Sequence, residues 1–253
     1  LILKNKNYLF VDGRYTLQAS KQSGRTFKIQ EIPYKWPKNI KNIHNYKIGF
    51  DPKLFTNNTL ERYFEKKVNL IPIEFKFENI IRYKESRIFQ LNASVTGESF
   101  FSKINRIKKY MNKSNINYLY SSASENNNWL LNIRGKDLPN SPLANCKLII
   151  TNKGKIYLFI NKKKISNSIK KYLKNIILCK EDSLFKVLKY LKKGFFCIDE
   201  NTCSVFDQAL INSKFDQVEK NKIVYNIFTK IANKKELNWK EKEELSIEEF
   251  RKK

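Results

Sequence analysis

The sequence predicts an α/β protein made of two related units. Three observations carry this reading. Short β-branched and aromatic runs alternate with helix-like stretches along the chain. One run of this kind, with the elements that follow it, is written twice. No apolar run approaches the roughly 18 to 20 residues that a membrane span needs.

The repeat defines the first elements. Lys6-Asn7-Tyr8-Leu9-Phe10-Val11-Asp12 returns as Lys155-Ile156-Tyr157-Leu158-Phe159-Ile160-Asn161. Each reads as a buried strand ending in a turn residue. A helix-like stretch follows each, over residues 17–22 and 168–173. A second pair comes at nearly the same offset: Ile48-Gly49-Phe50-Asp51-Pro52 and Phe196-Cys197-Ile198-Asp199-Glu200. Each predicts a short strand and then an Asp placed to cap a helix, over 54–64 and 203–210. Two copies in one order are too few for a solenoid.

Between the copies, residues 86–96 form a bridge. Residues 100–111 have helical spacing, with Phe101, Ile104, Ile107 and Tyr110 assigned to one side. A strand is expected at 117–120, then a short helix followed by a strand within 124–131. Trp129-Leu130-Leu131-Asn132-Ile133-Arg134-Gly135-Lys136-Asp137 is an apolar run closed by turn chemistry, with charges at a strand end. Trp129 is expected in the core, and Arg134 and Asp137 could pair across Gly135. Residues 147–151 and 155–160 read as a hairpin across Asn152-Lys153-Gly154. Residues 183–192 form an amphipathic helix through Leu184, Val187, Leu188 and Leu191.

Composition narrows the function classes. The formal charge is +26, carried mostly by Lys, and basic runs such as Lys162-Lys163-Lys164 are spread along the whole length. Arg, the residue suited to bidentate base and phosphate contacts, is sparse. Specific nucleic-acid binding is therefore disfavoured, although salt-sensitive binding to polyanions fits the charge. The four cysteines, Cys146, Cys179, Cys197 and Cys203, form no C-x-x-C pair and read as free thiols of a reducing cytoplasm. The single histidine, His44, lies in a polar stretch and reads as a surface residue. There is no phosphate-binding glycine loop and no G-x-S-x-G elbow. The chain opens Leu1-Ile2-Leu3, without an initiator Met or a signal-peptide pattern, and reads as a piece of a longer product.

An ordered set of motifs resembles the non-catalytic half of aminopeptidase P, the Xaa-Pro aminopeptidase of the creatinase or pita-bread superfamily. These motifs are Asp12-Gly13-Arg14-Tyr15-Thr16-Leu17-Gln18-Ala19, Gly49-Phe50-Asp51-Pro52, Asn69-Leu70, Gly97-Glu98-Ser99 with Lys103 and Arg106, Trp129 to Asp137 with Pro139 and Pro142, and Leu158-Phe159-Ile160-Asn161. The match runs in order over residues 1 to about 210. It departs from the family at Glu125-Asn126-Asn127-Asn128, where Asp-x-Ile-Ala is usual, and in register after about residue 215.

The resemblance implies two tandem creatinase N-terminal-like domains, each a mixed sheet flanked by helices with a ribonuclease H-like motif. Domain I would span residues 1–85 and lack its opening strands. Domain II would span 86–215, and 216–253 would be a linker and the possible start of a catalytic pita-bread domain. The resemblance also implies that two manganese ions sit in that later domain, held by two Asp, one His and two Glu. This chain would then carry no catalytic residue and no metal ligand, and would be inactive alone.

Arg14 would contact a peptide substrate with Pro in second position, the alternative being a salt bridge to Asp12 or Glu61. Trp129, Asn132, Arg134 and Asp137 would stand at a cleft rim or domain interface. The full-length enzyme is expected to be a cytoplasmic homodimer. Two other functions are weighed against this one: a catalytically inactive binding module of the same fold, and a basic nucleic-acid-binding protein.

Overall fold

The computed structural model describes residues 1–75, 86–138, 140–216 and 218–220. Most of the segment 216–253, and Pro139, lie outside the described residues. The chain divides into two compact units, Leu1–Glu78 and Asn79–Lys253.

The first unit runs β1 (Tyr8–Asp12), α1 (Thr16–Ser23), β2 (Lys28–Ile32), β3 (Lys47–Phe50), α2 (Asn57–Tyr63) and β4 (Asn69–Pro72). It holds two separate parallel pairs, β1 with β2 and β3 with β4. Its core comprises Ala19, Ile43, Ile48, Phe50, Leu60, Phe64 and Val68. Trp36 stacks on Tyr63 at 5.4 Å beside it.

The second unit runs β5 (Phe89–Gln90), α3 (Ala93–Thr96), α4 (Phe100–Lys113), β6 (Tyr118–Ser121), α5 (Ser124–Leu131), β7 (Ile133–Arg134), β8 (Lys147–Thr151) and β9 (Ile156–Phe159). It continues through α6 (Asn167–Tyr172), β10 (Ile176–Cys179), α7 (Leu184–Tyr190), β11 (Phe196–Ile198), α8 (Val205–Asn212) and β12 (Val218–Lys220). Six strands form one mixed sheet in the order β10-β9-β8-β6-β11-β12. The pairs β10/β9, β6/β11 and β11/β12 are parallel, whereas β8 runs antiparallel to both β9 and β6. The expected hairpin is there, with Gly154 at φ +86° in its turn, a conformation that Gly adopts without steric cost. β5 and β7 form a small antiparallel ladder of their own.

Strand alternation sends neighbouring side chains to opposite faces. Leu119, Leu148, Ile150, Leu158 and Cys197 meet α4, α5 and α6 on one face. Tyr120, Ile149, Phe159, Phe196 and Ile198 meet α7, α8 and Phe215 on the other. The result is a three-layer α/β/α unit.

Three expectations are corrected. The buried face of α4 is Phe100, Lys103, Ile104, Ile107 and Met111, whereas Phe101 and Tyr110 are exposed. Steps of three residues drift around a helix of 3.6 residues per turn, so positions nine apart fall on opposite sides. Asp51 and Asp199 do not cap helices. Each accepts from the backbone N–H two residues on, from Lys53 at 2.9 Å and Asn201 at 3.0 Å. The caps are Thr56 and Ser204, each accepting from an N–H at 3.1 Å, because those hydroxyls stand one residue ahead of the helix. Residues 124–131 are helical throughout, and the strand begins only after Asn132, which sits at φ 53° and turns the chain.

Charged groups are built into the second unit. Asp137 and Lys164 form an ion pair at 2.8 Å with side chains 5% and 8% exposed. Lys164 thus closes a basic run from the inside. The pairing of Arg134 with Asp137 expected across Gly135 does not form, because Lys164 and the Asn145 N–H at 2.7 Å take the carboxylate. Gly135 lies so close to Ala144 that a Cβ there would come within 3.0 Å of the Ala144 Cα. Asp207 of α8 accepts from the Tyr120 hydroxyl at 2.7 Å and from Lys147 Nζ at 2.6 Å, tying α8 to β6 and β8.

Two outcomes follow from this packing. Asp137→Ala strands the Lys164 ammonium in the interior, and a buried pair broken on one side costs roughly 3 to 5 kcal/mol. Urea denaturation of the second unit should show that loss, and Asp137→Ala with Lys164→Met should recover most of it. A single mutant within about 1 kcal/mol of the parent would mean that water reaches the pair.

The four cysteines are free and buried. Burial pushes the Cys146 thiol up to about 12 and raises Cys179 and Cys203 as well. Iodoacetamide at pH 8 should therefore leave the native chain unlabelled over a period that labels all four thiols in urea. Because Cys146 ionises more readily when unfolded, its contribution to stability is complete below pH 9 and declines toward pH 12. A flat stability profile across that window would contradict the assignment.

Candidate functional site

Arg14 lies in the first unit, at the exit of β1. The Asp12 side chain accepts from the Arg14 N–H at 3.1 Å and caps the 3-10 turn Gly13–Tyr15. The same carboxylate accepts from Arg14 Nε at 2.8 Å. Arg14 Nη2 also donates to Asp12 Oδ2 at 3.4 Å, so Asp12 holds one edge of the guanidinium while the side chain stays 82% exposed. Arg14 hydrogen bonding holds the Asp12 carboxyl below the usual carboxylate range, and Asp12 in turn raises the Arg14 pKa. Of the two salt-bridge partners weighed from sequence, Asp12 is the one in contact. A guanidinium steered this way presents donors suited to a carbonyl or carboxylate.

The Trp129 to Asp137 segment lies in the second unit, and its members are tied into that unit. Lys103 is 1% exposed and donates to the Trp129 carbonyl at 2.7 Å and to Asn132 Oδ1 at 2.6 Å. Its ammonium also lies 4.2 Å from the centre of the Trp129 ring, a cation–π contact. Asn132 Nδ2 donates to the Glu98 carbonyl at 2.8 Å, and the Glu98 carboxylate pairs with Arg106. Motifs more than thirty residues apart, Gly97-Glu98-Ser99 and Trp129 to Asn132, thus meet at one end of α4. Arg134 Nη1 donates to the carbonyls of Asn128 at 3.1 Å and Ile133 at 2.8 Å.

Sequence reasoning missed the role of the Asn run. Asn127 and Asn128 are buried within α5. Asn127 Nδ2 donates to the carbonyls of Ser121 at 3.1 Å and Cys146 at 2.8 Å. Asn128 donates to the Ala144 carbonyl at 2.7 Å and accepts from the Ala144 N–H at 3.0 Å. Together they clamp the strand entering β8. A run of three Asn within a helical window was the available signal.

His44 is exposed in a 3-10 turn of the first unit. Among the described residues, no three His, Cys, Asp or Glu side chains group closely enough to hold a metal ion. No helix among the described residues is long and apolar enough to cross a membrane.

Comparison with known proteins places this architecture. The family model of the Creatinase/Prolidase N-terminal domain matches residues 82–236. The chain is 28% identical over 211 residues to the Probable Xaa-Pro aminopeptidase P of Coprinopsis cinerea, covering 77% of this chain and 34% of that protein. It is 25% identical over 214 residues to Xaa-Pro aminopeptidase 1 of Dictyostelium discoideum, covering 75% of this chain and 34% of that protein. It thus spans about a third of the length of these curated relatives. Among solved structures, the X-prolyl aminopeptidase of Caenorhabditis elegans, described as a cytosolic enzyme with a di-nuclear active site, aligns with a TM-score of 0.72 at 19% identity. That alignment covers 88% of this chain and 40% of the solved one. With the α/β/α sheet, the motif order and a family match over more than half its length, the chain belongs to the creatinase/prolidase N-terminal domain family.

Proposed function

We propose that this chain is the non-catalytic N-terminal portion of a metal-dependent Xaa-Pro aminopeptidase. Such an enzyme releases the N-terminal residue from peptides with Pro in second position. The similarity of about three quarters of the chain to proteins of that name carries the reading. In this proposal the portion walls the substrate cleft and limits it to short peptides, and Arg14 supplies the contact to the peptide. The guanidinium is suited to that work because Asp12 holds its Nε and Nη2 edge, orienting the exposed side chain before a ligand arrives. Manganese, when bound in the catalytic portion, would supply an activated water. The residues of this chain would bind and orient. Free buried thiols and the cytosolic relative support a cytoplasmic setting, and a homodimer is the proposed state of the whole enzyme.

The chain alone should not turn over an Xaa-Pro-Xaa peptide with Mn present. Turnover, or stoichiometric binding of two Mn ions by the purified chain, would overturn the assignment.

The second test joins the chain to the catalytic portion of the Dictyostelium discoideum relative and compares Arg14→Ala with the parent fusion. Loss of a charge-assisted substrate contact should lower kcat/KM by about tenfold to a hundredfold at unchanged metal content. A lower Tm with kcat/KM within about twofold of the parent would make Arg14 a scaffold residue.

A further inference from the structure

The two ends of the six-stranded sheet carry different charge. Five of its strands share one direction, and β8 opposes them. One end of the sheet therefore receives five connections: residues 114–117 into β6, the hairpin turn 152–155 into β9, 173–175 into β10, 191–195 into β11 and 213–216 into β12. They contain Lys153, Lys155, Lys174, Lys192, Lys193 and Lys214, against Asp216 as the one carboxylate. The connections at the opposite end, 122–123, 135–146, 160–166, 180–183 and 199–204, contain five Lys and five carboxylates. The excess of basic residues is thus placed at the end where five strands begin.

Helix carbonyls account for part of it. Lys113 and Lys189 lie in the last turns of α4 and α7, where a cation complements the helix dipole. Lys214 Nζ donates to the Lys189 carbonyl at 2.8 Å. The other five connection lysines are exposed, and among the described residues none of them belongs to an ion pair.

The ground under these lysines is fixed. Asn117, just ahead of β6, joins three connections. Its carbonyl accepts from the Asn152 N–H at 3.0 Å, its N–H donates to the Phe195 carbonyl at 2.9 Å, and its Oδ1 accepts from the Phe195 N–H at 2.7 Å. The Tyr118 hydroxyl donates to the Lys192 carbonyl at 3.0 Å. Neighbouring strands lie about 4.8 Å apart, so the row from Lys174 at β10 to Lys214 at β12 is about 24 Å long. That length spans up to about seven phosphates of one nucleic-acid strand.

We propose that this end of the second unit binds single-stranded nucleic acid without sequence preference. Charge complementarity and the linear row favour a chain of phosphates. Lys supplies point charges for phosphate, and the five connections contain no Arg, the residue that reads bases through bidentate contacts. Tyr190, between Lys189 and Lys192, is 88% exposed and offers a ring face on which a base can stack. A lipid surface fits less well, because Ile116, Leu173, Leu191 and Phe215 of these connections are buried and leave nothing apolar to insert.

The test measures fluorescence anisotropy of a labelled oligodeoxythymidine of about twelve residues with the whole chain, at about 50 mM salt and upward. One variant carries Lys153→Gln, Lys155→Gln, Lys192→Gln and Lys193→Gln. A control of equal net charge carries Lys136→Gln, Lys162→Gln, Lys163→Gln and Lys180→Gln, at the opposite end. The first should weaken binding by about tenfold or more and reduce the slope of log K against log salt by about 2 to 3, while the control stays within about twofold of the parent. Tyr190→Ala should weaken binding by about fivefold or more with an unchanged circular dichroism spectrum.

Absence of binding at about 50 mM salt would overturn the proposal. Equal losses in the two lysine variants would overturn it as well, because binding would then follow net charge and not place. Displacement of the oligonucleotide by polyglutamate at equal charge concentration, with Tyr190→Ala unchanged, would make the partner an acidic protein. Tighter binding to phosphatidylserine vesicles than to the oligonucleotide, lost in the first variant, would make it a membrane surface. Either result would overturn the nucleic-acid assignment.

Discussion

The second unit depends on one constraint: the strands at the centre of its sheet must be covered on both faces. β6 and β8 carry Leu119 against Tyr120, and Leu148 and Ile150 against Ile149. Each such side chain contributes roughly 1.5 to 3 kcal/mol only when its own face is closed. That requirement places α4, α5 and α6 on one side and α7 and α8 on the other. It also explains why Gly135 packs against Ala144 and why two buried Asn residues hold the entry to β8. With main-chain ladders on both edges of the central strands, the sheet has a single register in which both clusters close.

The charges follow from the same layering. A protein with 50 Lys and Arg against 24 Asp and Glu could carry its whole excess on the surface. Instead Lys103 and Lys164 lie inside, each at a junction between elements. Lys164 meets Asp137 where the chain returns from β7 toward β8. Lys103 ties the end of α5 to α4 through the Trp129 carbonyl and Asn132. Buried ions add little net stability relative to apolar packing, but they penalise arrangements in which their partners are displaced. Their placement suits a scaffold that must hold one shape.

Arg14 shows a comparable economy in the first unit. The Asp12 carboxylate both caps the turn after β1 and holds the Arg14 guanidinium, so one side chain fixes the backbone and the neighbouring charge together. The described strands of the first unit form two separate parallel pairs, β1 with β2 and β3 with β4, whereas those of the second join in one six-stranded sheet.

Much of this architecture was legible in the sequence because it is written locally. The α/β alternation and the hairpin around Gly154 each depend on a few neighbouring positions. The ordered motifs carried the family for the same reason. Tertiary structure alone decided the rest. Lys103 reaches Asn132 across 29 positions, Lys164 reaches Asp137 across 27, and Tyr120 reaches Asp207 across 87. No local pattern marks a lysine as buried when its partner is that far away, nor an Asn run as a clamp on a strand it has yet to meet. The centre of a sheet is likewise defined only by what pairs on both of its edges, so the place of β6 between β8 and β11 emerged only once the strands were ordered in space.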